Sequence, residues 1–181
     1  YEYSGGGIMS SKATWNGDKD IYWRIIRTNK DKSIRLLYHG TSTTATDSYI
    51  GASAFNTNSN DTMYVGYMYG TSGSLENNRK NTNNSTIKNI VDNWYMTNLF
   101  NFTDYLSKAA VYCNDREIVS GTFGNSNNFE YAARNRLYTN KTPTYNCTNV
   151  KDAFSANNSS AKLDYPIGLM TADEVAFAGG V

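Results

Sequence analysis

The chain has 181 residues, enough for one domain that buries a core without needing several staples. Its formal charge is +1 and only 18% of its residues are charged, with lysines and arginines scattered singly among acids, which excludes the basic stripe a nucleic-acid partner needs. No run of about 18 apolar residues is present, so the sequence encodes no membrane-spanning helix.

The first residues, YEYSGGGIMSSK, lack both an initiator methionine and the apolar stretch of a signal peptide, and residues 1–14 read as a linker. They suggest a mature or excised piece of a longer protein whose export signal or anchor lies upstream. Residues 15–181 read as a single domain. Ile21 to Arg27 and Ser33 to Tyr38 are β-rich runs separated by the turn-forming TNKDK, which predicts an antiparallel hairpin. Gly40 to Asn60 is predicted to be a long polar loop anchored by Tyr49, Ile50 and Phe55. Val65 to Tyr69 reads as a short strand in which Gly66 marks a bulge or a close backbone approach. Thr71 to Asn84 reads as loop.

Ser85 to Glu117 organises the rest. Ile87, Ile90, Val91, Trp94, Tyr95 and Leu99 fall at spacings of three and four behind Ser85 as N-cap, which predicts an amphipathic helix with Lys88, Asn89, Asp92, Asn93 and Thr97 facing water. Burying side chains of this size contributes roughly 1.5 to 3 kcal/mol each, enough to make the helix the main packing unit. A second helical segment over Thr103 to Ala110 and a strand over Ala110 to Cys113 are predicted to follow. Beyond Glu117 the sequence predicts a loop through Gly121 to Asn128, then an arm with a helical turn over Glu130 to Lys141. Leu163 to Tyr165 and Ile167 to Met170 read as a strand interrupted by Pro166. Thr171 and Glu174 form a capping box opening a short helix that Gly179 stops. The elements make an α+β class.

The two cysteines, Cys113 and Cys147, have no Cys-x-x-Cys spacing and read as one disulfide, which points to an oxidising, extracellular compartment. Closing that loop stabilises by roughly 3.5 to 4 kcal/mol. The chain also carries 15 tyrosines and about two dozen asparagines. Tyr, Asn, Ser and Gly are the residues of adaptable recognition surfaces, although the codon usage of an AT-rich genome enriches Tyr and Asn equally. Only tyrosines clustered on one face would separate the two explanations.

Catalytic and metal chemistry have little to build on. The single histidine, His39, has no Gly-x-Ser-x-Gly elbow beside it, and one His with two oxidised Cys cannot ligate zinc. The cluster Asn114, Asp115, Arg116, Glu117 offers a carboxylate pair for acid/base work or for calcium, or an Asp–Arg network with Arg134 and Arg136 as partners. Asp18 and Asp20 lack the spacing of a calcium loop. No cofactor is expected.

Taken together, YWRIIR (Tyr22 to Arg27), YVGYMYG (Tyr64 to Gly70), IKNIVDNWY (Ile87 to Tyr95), YCNDRE (Tyr112 to Glu117) and YPIGLMTADEVAFAGG (Tyr165 to Gly180) resemble a group of largely uncharacterised extracellular domains of gut Firmicutes, often carried behind prepilin-like or surface-anchored segments. The resemblance implies a C-type-lectin-like mixed sheet with two helices and long loops, and further strands beyond Val181. A truncated chain, or a separate C-terminal fragment that completes the sheet, would account for their absence. The expectation is a non-catalytic cell-surface or pilus-associated domain that binds a host or microbial surface glycan or protein, with Tyr64, Tyr67, Tyr69 and Tyr138 as first contacts. Two alternatives are a filament subunit completed by strand exchange and a hydrolase using Asp115 and Glu117.

Overall fold

The computed structural model describes residues 2–4, 8–11, 20–46, 48–58, 64, 66–69, 74–124 and 128–180, the first two ranges by backbone alone. The chain divides into two compact units, Tyr1–Ala52 and Ser53–Val181, in place of a linker followed by one domain.

The first unit is an antiparallel meander of β1 (Glu2–Ser4), β2 (Ile8–Ser11), β3 (Ile21–Thr28) and β4 (Ile34–Gly40), hydrogen-bonded in that order. The stretch read as a linker therefore supplies two strands: the short runs on either side of the triple glycine pair with each other, and β2 pairs with β3, Met9 opposite Trp23. The predicted β3–β4 hairpin is present. Its turn is closed by Asn29 N–H donating to the Ser33 carbonyl at 2.9 Å, with Lys32 at φ 69°. Asp31 Oδ1 accepts from the Ser33 hydroxyl at 2.7 Å and its amide at 3.0 Å, which holds the Asp31 carboxyl below its ordinary pKa. Trp23 and Tyr38 face each other across the ladder, edge to face at 5.9 Å.

The second unit contains α1 (Leu75–Asn78), α2 (Thr86–Asn98), α3 (Ala132–Arg134) and α4 (Ala172–Phe177), a 3₁₀ turn at Phe100–Tyr105 and a π-helical turn at Asn135–Asn140. Three two-stranded antiparallel ladders accompany them: β5 (Met68–Tyr69) with β6 (Asn83–Asn84), β7 (Tyr112–Cys113) with β10 (Ala153–Phe154), and β8 (Ile118–Gly121) with β9 (Phe129–Tyr131). The class is α+β. Among the described residues its strands form four small antiparallel sheets rather than one mixed sheet. Tyr67, Met68, Phe154, Ala161 and Leu163 make the core, with Ile87, Tyr112 and Leu169 packed against it.

The Ser85 cap is where the sequence places it. Its hydroxyl accepts from Lys88 N–H at 3.1 Å, and its own N–H donates to the Tyr67 carbonyl at 2.9 Å, tying the helix start to the core. The buried face of α2 is turned from the predicted one: Lys88, Val91, Tyr95 and Asn98 are buried, whereas Ile90 is 37% exposed. Lys88 can go inside because Asp92 Oδ2 at 2.5 Å and Asp164 Oδ2 at 2.6 Å neutralise its ammonium. Tyr95 stacks on Tyr165 at 4.9 Å and bonds the Thr103 hydroxyl.

Other differences have local causes. The region read as loop before Ser85 contains α1, whose N-cap Ser74 accepts from Asn77 N–H at 3.3 Å, and the strand β6. The loop predicted after Glu117 is bordered by the β8–β9 ladder. The helix predicted to run on to Ala110 is the 3₁₀ turn ending at Tyr105. Leu163 to Met170 forms no strand: irregular bonds satisfy its backbone, Leu163 N–H donating to the Ser155 carbonyl, the Tyr112 hydroxyl to the Pro166 carbonyl and Leu169 N–H to the Tyr67 hydroxyl oxygen. The capping box on α4 is complete, and Gly179 at φ 84° follows the last turn.

Candidate functional site

The polar constellation at Asn114 to Glu117 is organised by a residue 36 positions further on. Asp152 is fully buried and accepts from Arg116 Nε at 2.8 Å and from Arg79 Nη2 at 2.6 Å. Arg116, itself 2% exposed, also donates to the carbonyls of Met68, Asn78 and Lys151 and to Asn81 Oδ1. Every N–H of its guanidinium thus has an acceptor, and the group lies over the Phe154 ring at 5.5 Å. Burial pulls the Arg116 guanidinium below its ordinary pKa, and the Asp152 charge opposes that. Gly66 shows why its position lacks a side chain: at φ 106° an added Cβ would stand 2.1 Å from Asn114 Nδ2, the close approach the sequence suggested.

Asp115 and Glu117 are both engaged by cations, but by separate ones. Glu117 Oε2 accepts from Arg79 at 3.0 Å and Asp115 Oδ2 from Arg136 at 2.8 Å. Arg136 also forks onto Asp173, Nε to Oδ1 at 2.9 Å and Nη2 to Oδ2 at 2.6 Å, and these bonds, the Asp173 pair foremost, push its pKa up. Arg134 corrects the sequence reading. It pairs with Glu130 four residues back in β9 and is 66% exposed, outside the network, whereas Arg136, in the π-helical turn, is the residue that meets Asp115.

The disulfide joins Cys113 to Cys147, their Cα atoms 5.6 Å apart. Cys113 sits in β7 directly opposite Ala153, next to Asp152, so the staple and the arginine hub reinforce one another. It also holds the 141–150 segment, where Thr144 N–H donates to Asp173 Oδ1 at 2.8 Å.

The four tyrosines singled out as contacts are not equivalent. Tyr67 is only 6% exposed, bonded to Leu169 N–H and set edge-on to Phe154 at 6.5 Å, so it is a core residue and not a contact. Tyr64 and Tyr69 are half-buried and meet edge to face at 5.2 Å. Tyr138 is 69% exposed on the π-helical turn, with the Arg134 guanidinium 5.6 Å from its ring. No ring contact among the described residues joins Tyr138 to the Tyr64–Tyr69 pair.

No protein-family model, curated protein or solved structure matches the chain significantly. Residues 15–20, including Asp18, lie outside the described residues except for Asp20. Among the described residues no group of three or more His, Cys, Asp or Glu converges as a metal site would, and no helix is long and apolar enough to cross a membrane. Sequence reasoning missed Asp152, Arg79 and Asp173. The one available signal was stoichiometric: a buried Arg116 demands a carboxylate, and the cysteine bridge brings the segment around Asp152 within reach.

Proposed function

We propose that this chain is a non-catalytic, extracellular ligand-binding protein of a bacterial surface, built on a frame like that of the C-type lectins and recognising a glycan or protein through aromatic side chains. The observation that carries this reading is the Tyr64–Tyr69 pair. It is an edge-to-face couple, both rings half-buried, in which Tyr69 ends the short strand β5, whose neighbours Tyr67 and Met68 are fixed by the core and by Arg116, and Tyr64 precedes that strand. Rigid aromatic contacts on a fixed backbone lose little entropy on binding. The disulfide supports the extracellular placement.

What counts against the hydrolase alternative is that Asp115 and Glu117 each spend an oxygen on an arginine, a poor setting for a general acid or base. The test is an array of host and microbial glycans and surface proteins probed with the labelled wild-type chain and with Tyr64→Ala and Tyr138→Ala. At least one ligand class is expected to bind and to lose about fivefold or more of its signal with Tyr64→Ala. A chain that binds nothing on either array, or that cleaves a glycan or peptide in an Asp115-dependent way, overturns the reading.

A further inference from the structure

His39 ends β4 fully buried, at 1% exposure, and nothing in the proposed contacts uses it. Its hydrogen bonds explain what it does. Nε2 lies 3.1 Å from the Thr43 carbonyl, which can only accept, so Nε2 carries the proton. Nδ1 then accepts from Arg24 Nε at 3.0 Å, a bond that requires its lone pair. The Ser48 hydroxyl donates to the His39 carbonyl at 2.8 Å and sits 3.1 Å from Nδ1. The imidazole and its own backbone therefore hold Thr43 and Ser48 beside the end of β4. A turn starts at Ser42: its carbonyl accepts from Ala45 N–H and its hydroxyl from Thr44 N–H, both at 3.2 Å.

Residues at the end of β4 and after it line an open depression of about 370 Å³, at the small end of ligand pockets. It is lined by Thr41, Ser42, Thr44 and Thr46 with Tyr38 and Tyr49, the Ser42 and Thr44 hydroxyls lying 3.1 Å apart, and no described lining side chain is charged. Tyr49 is 64% exposed at the rim. Hydroxyls that both donate and accept suit a partner that does the same, and an exposed aromatic face suits the C–H face of a ring. We infer that this depression is a binding site for a neutral hexopyranose, a free sugar or the terminal unit of a glycan, stacked on Tyr49 and hydrogen-bonded by the threonine and serine hydroxyls. The site lies in the first unit and depends on none of the tyrosines proposed above; it shares with that proposal only the ligand class.

The test is saturation-transfer NMR and calorimetric titration with methyl β-galactopyranoside, methyl α-mannopyranoside and N-acetylglucosamine at millimolar concentration. At least one is expected to bind, unaffected by EDTA or by raising salt, because no described lining side chain is charged. Tyr49→Ala is expected to weaken binding by about tenfold or more without changing the thermal midpoint, whereas Tyr64→Ala leaves it unchanged. Binding that survives Tyr49→Ala but is lost with Tyr64→Ala overturns this site and leaves the ligand-binding reading standing. If the wild-type chain takes up none of the three sugars, the site is overturned, while binding to a protein ligand on the array would still uphold the broader reading.

Discussion

Asp152 has no exposed surface, yet two guanidinium groups and one backbone N–H converge on its two oxygens. Replacing it with Asn keeps the shape and removes the charge, leaving Arg116 buried with no counter-ion beyond dipoles. Breaking a buried pair in this way costs roughly 3 to 5 kcal/mol, so Asp152→Asn should show that loss in urea unfolding. A loss below about 1 kcal/mol would mean that the carbonyls of Met68, Asn78 and Lys151 suffice for Arg116. The difference between Arg116 and its partner shows what can be read at the residue scale. The NDRE cluster identifies itself by composition, whereas Asp152 sits in NVKDAF with no periodic signal, and only the folded chain brings the two together. Tyr67 fails for the same reason: a tyrosine between Gly66 and Met68 looks like its neighbours until its hydroxyl finds Leu169 N–H.

For elements, what is encoded within a few residues is legible. The Ser85 cap, the TNKDK turn and the Thr171–Glu174 box each close through hydrogen bonds between near neighbours. The rotation of α2 is not legible, because Lys88 enters the interior only when Asp164 arrives from 76 residues away. That rotation has a pH signature. Burial alone would lower the Lys88 pKa, but its bonds to Asp164 and Asp92 raise it above 10.5, and burial raises that of Tyr95 above 10.0. A raised folded-state pKa means that the folded chain holds its proton where the unfolded chain has lost it. Both contributions are therefore complete below about pH 10 and are lost as pH rises through the folded values. Thermal midpoints should fall more steeply above pH 10 for the wild type than for the double variant Lys88→Met with Tyr95→Phe. Equal slopes would show that neither group is coupled to folding.

At the scale of the molecule, the sequence makes the α+β class and the cysteine pairing legible, but not the division into Tyr1–Ala52 and Ser53–Val181. The linker reading of the first 14 residues fails because strands as short as β1 and β2 carry almost no sequence signal of their own and exist through pairing with β3. The disulfide lies wholly within the second unit. Substituting both cysteines by serine should lower its unfolding free energy by about 3.5 to 4 kcal/mol in urea while amide-exchange protection of the β3–β4 ladder stays unchanged. A matching loss of protection in β3 and β4 would mean that the two units unfold together. The bridge has one more effect. It spans the β8–β9 hairpin, whose first strand is largely exposed, and the π-helical turn, where Tyr138 stands in solvent. A protease that cuts this stretch once leaves two pieces that remain covalently joined and are still held by Arg116 on Asp152, with Arg136 on Asp115 bridging a cut in the hairpin and Arg136 on Asp173 bridging a cut at Tyr138. A nicked molecule would go on holding its shape.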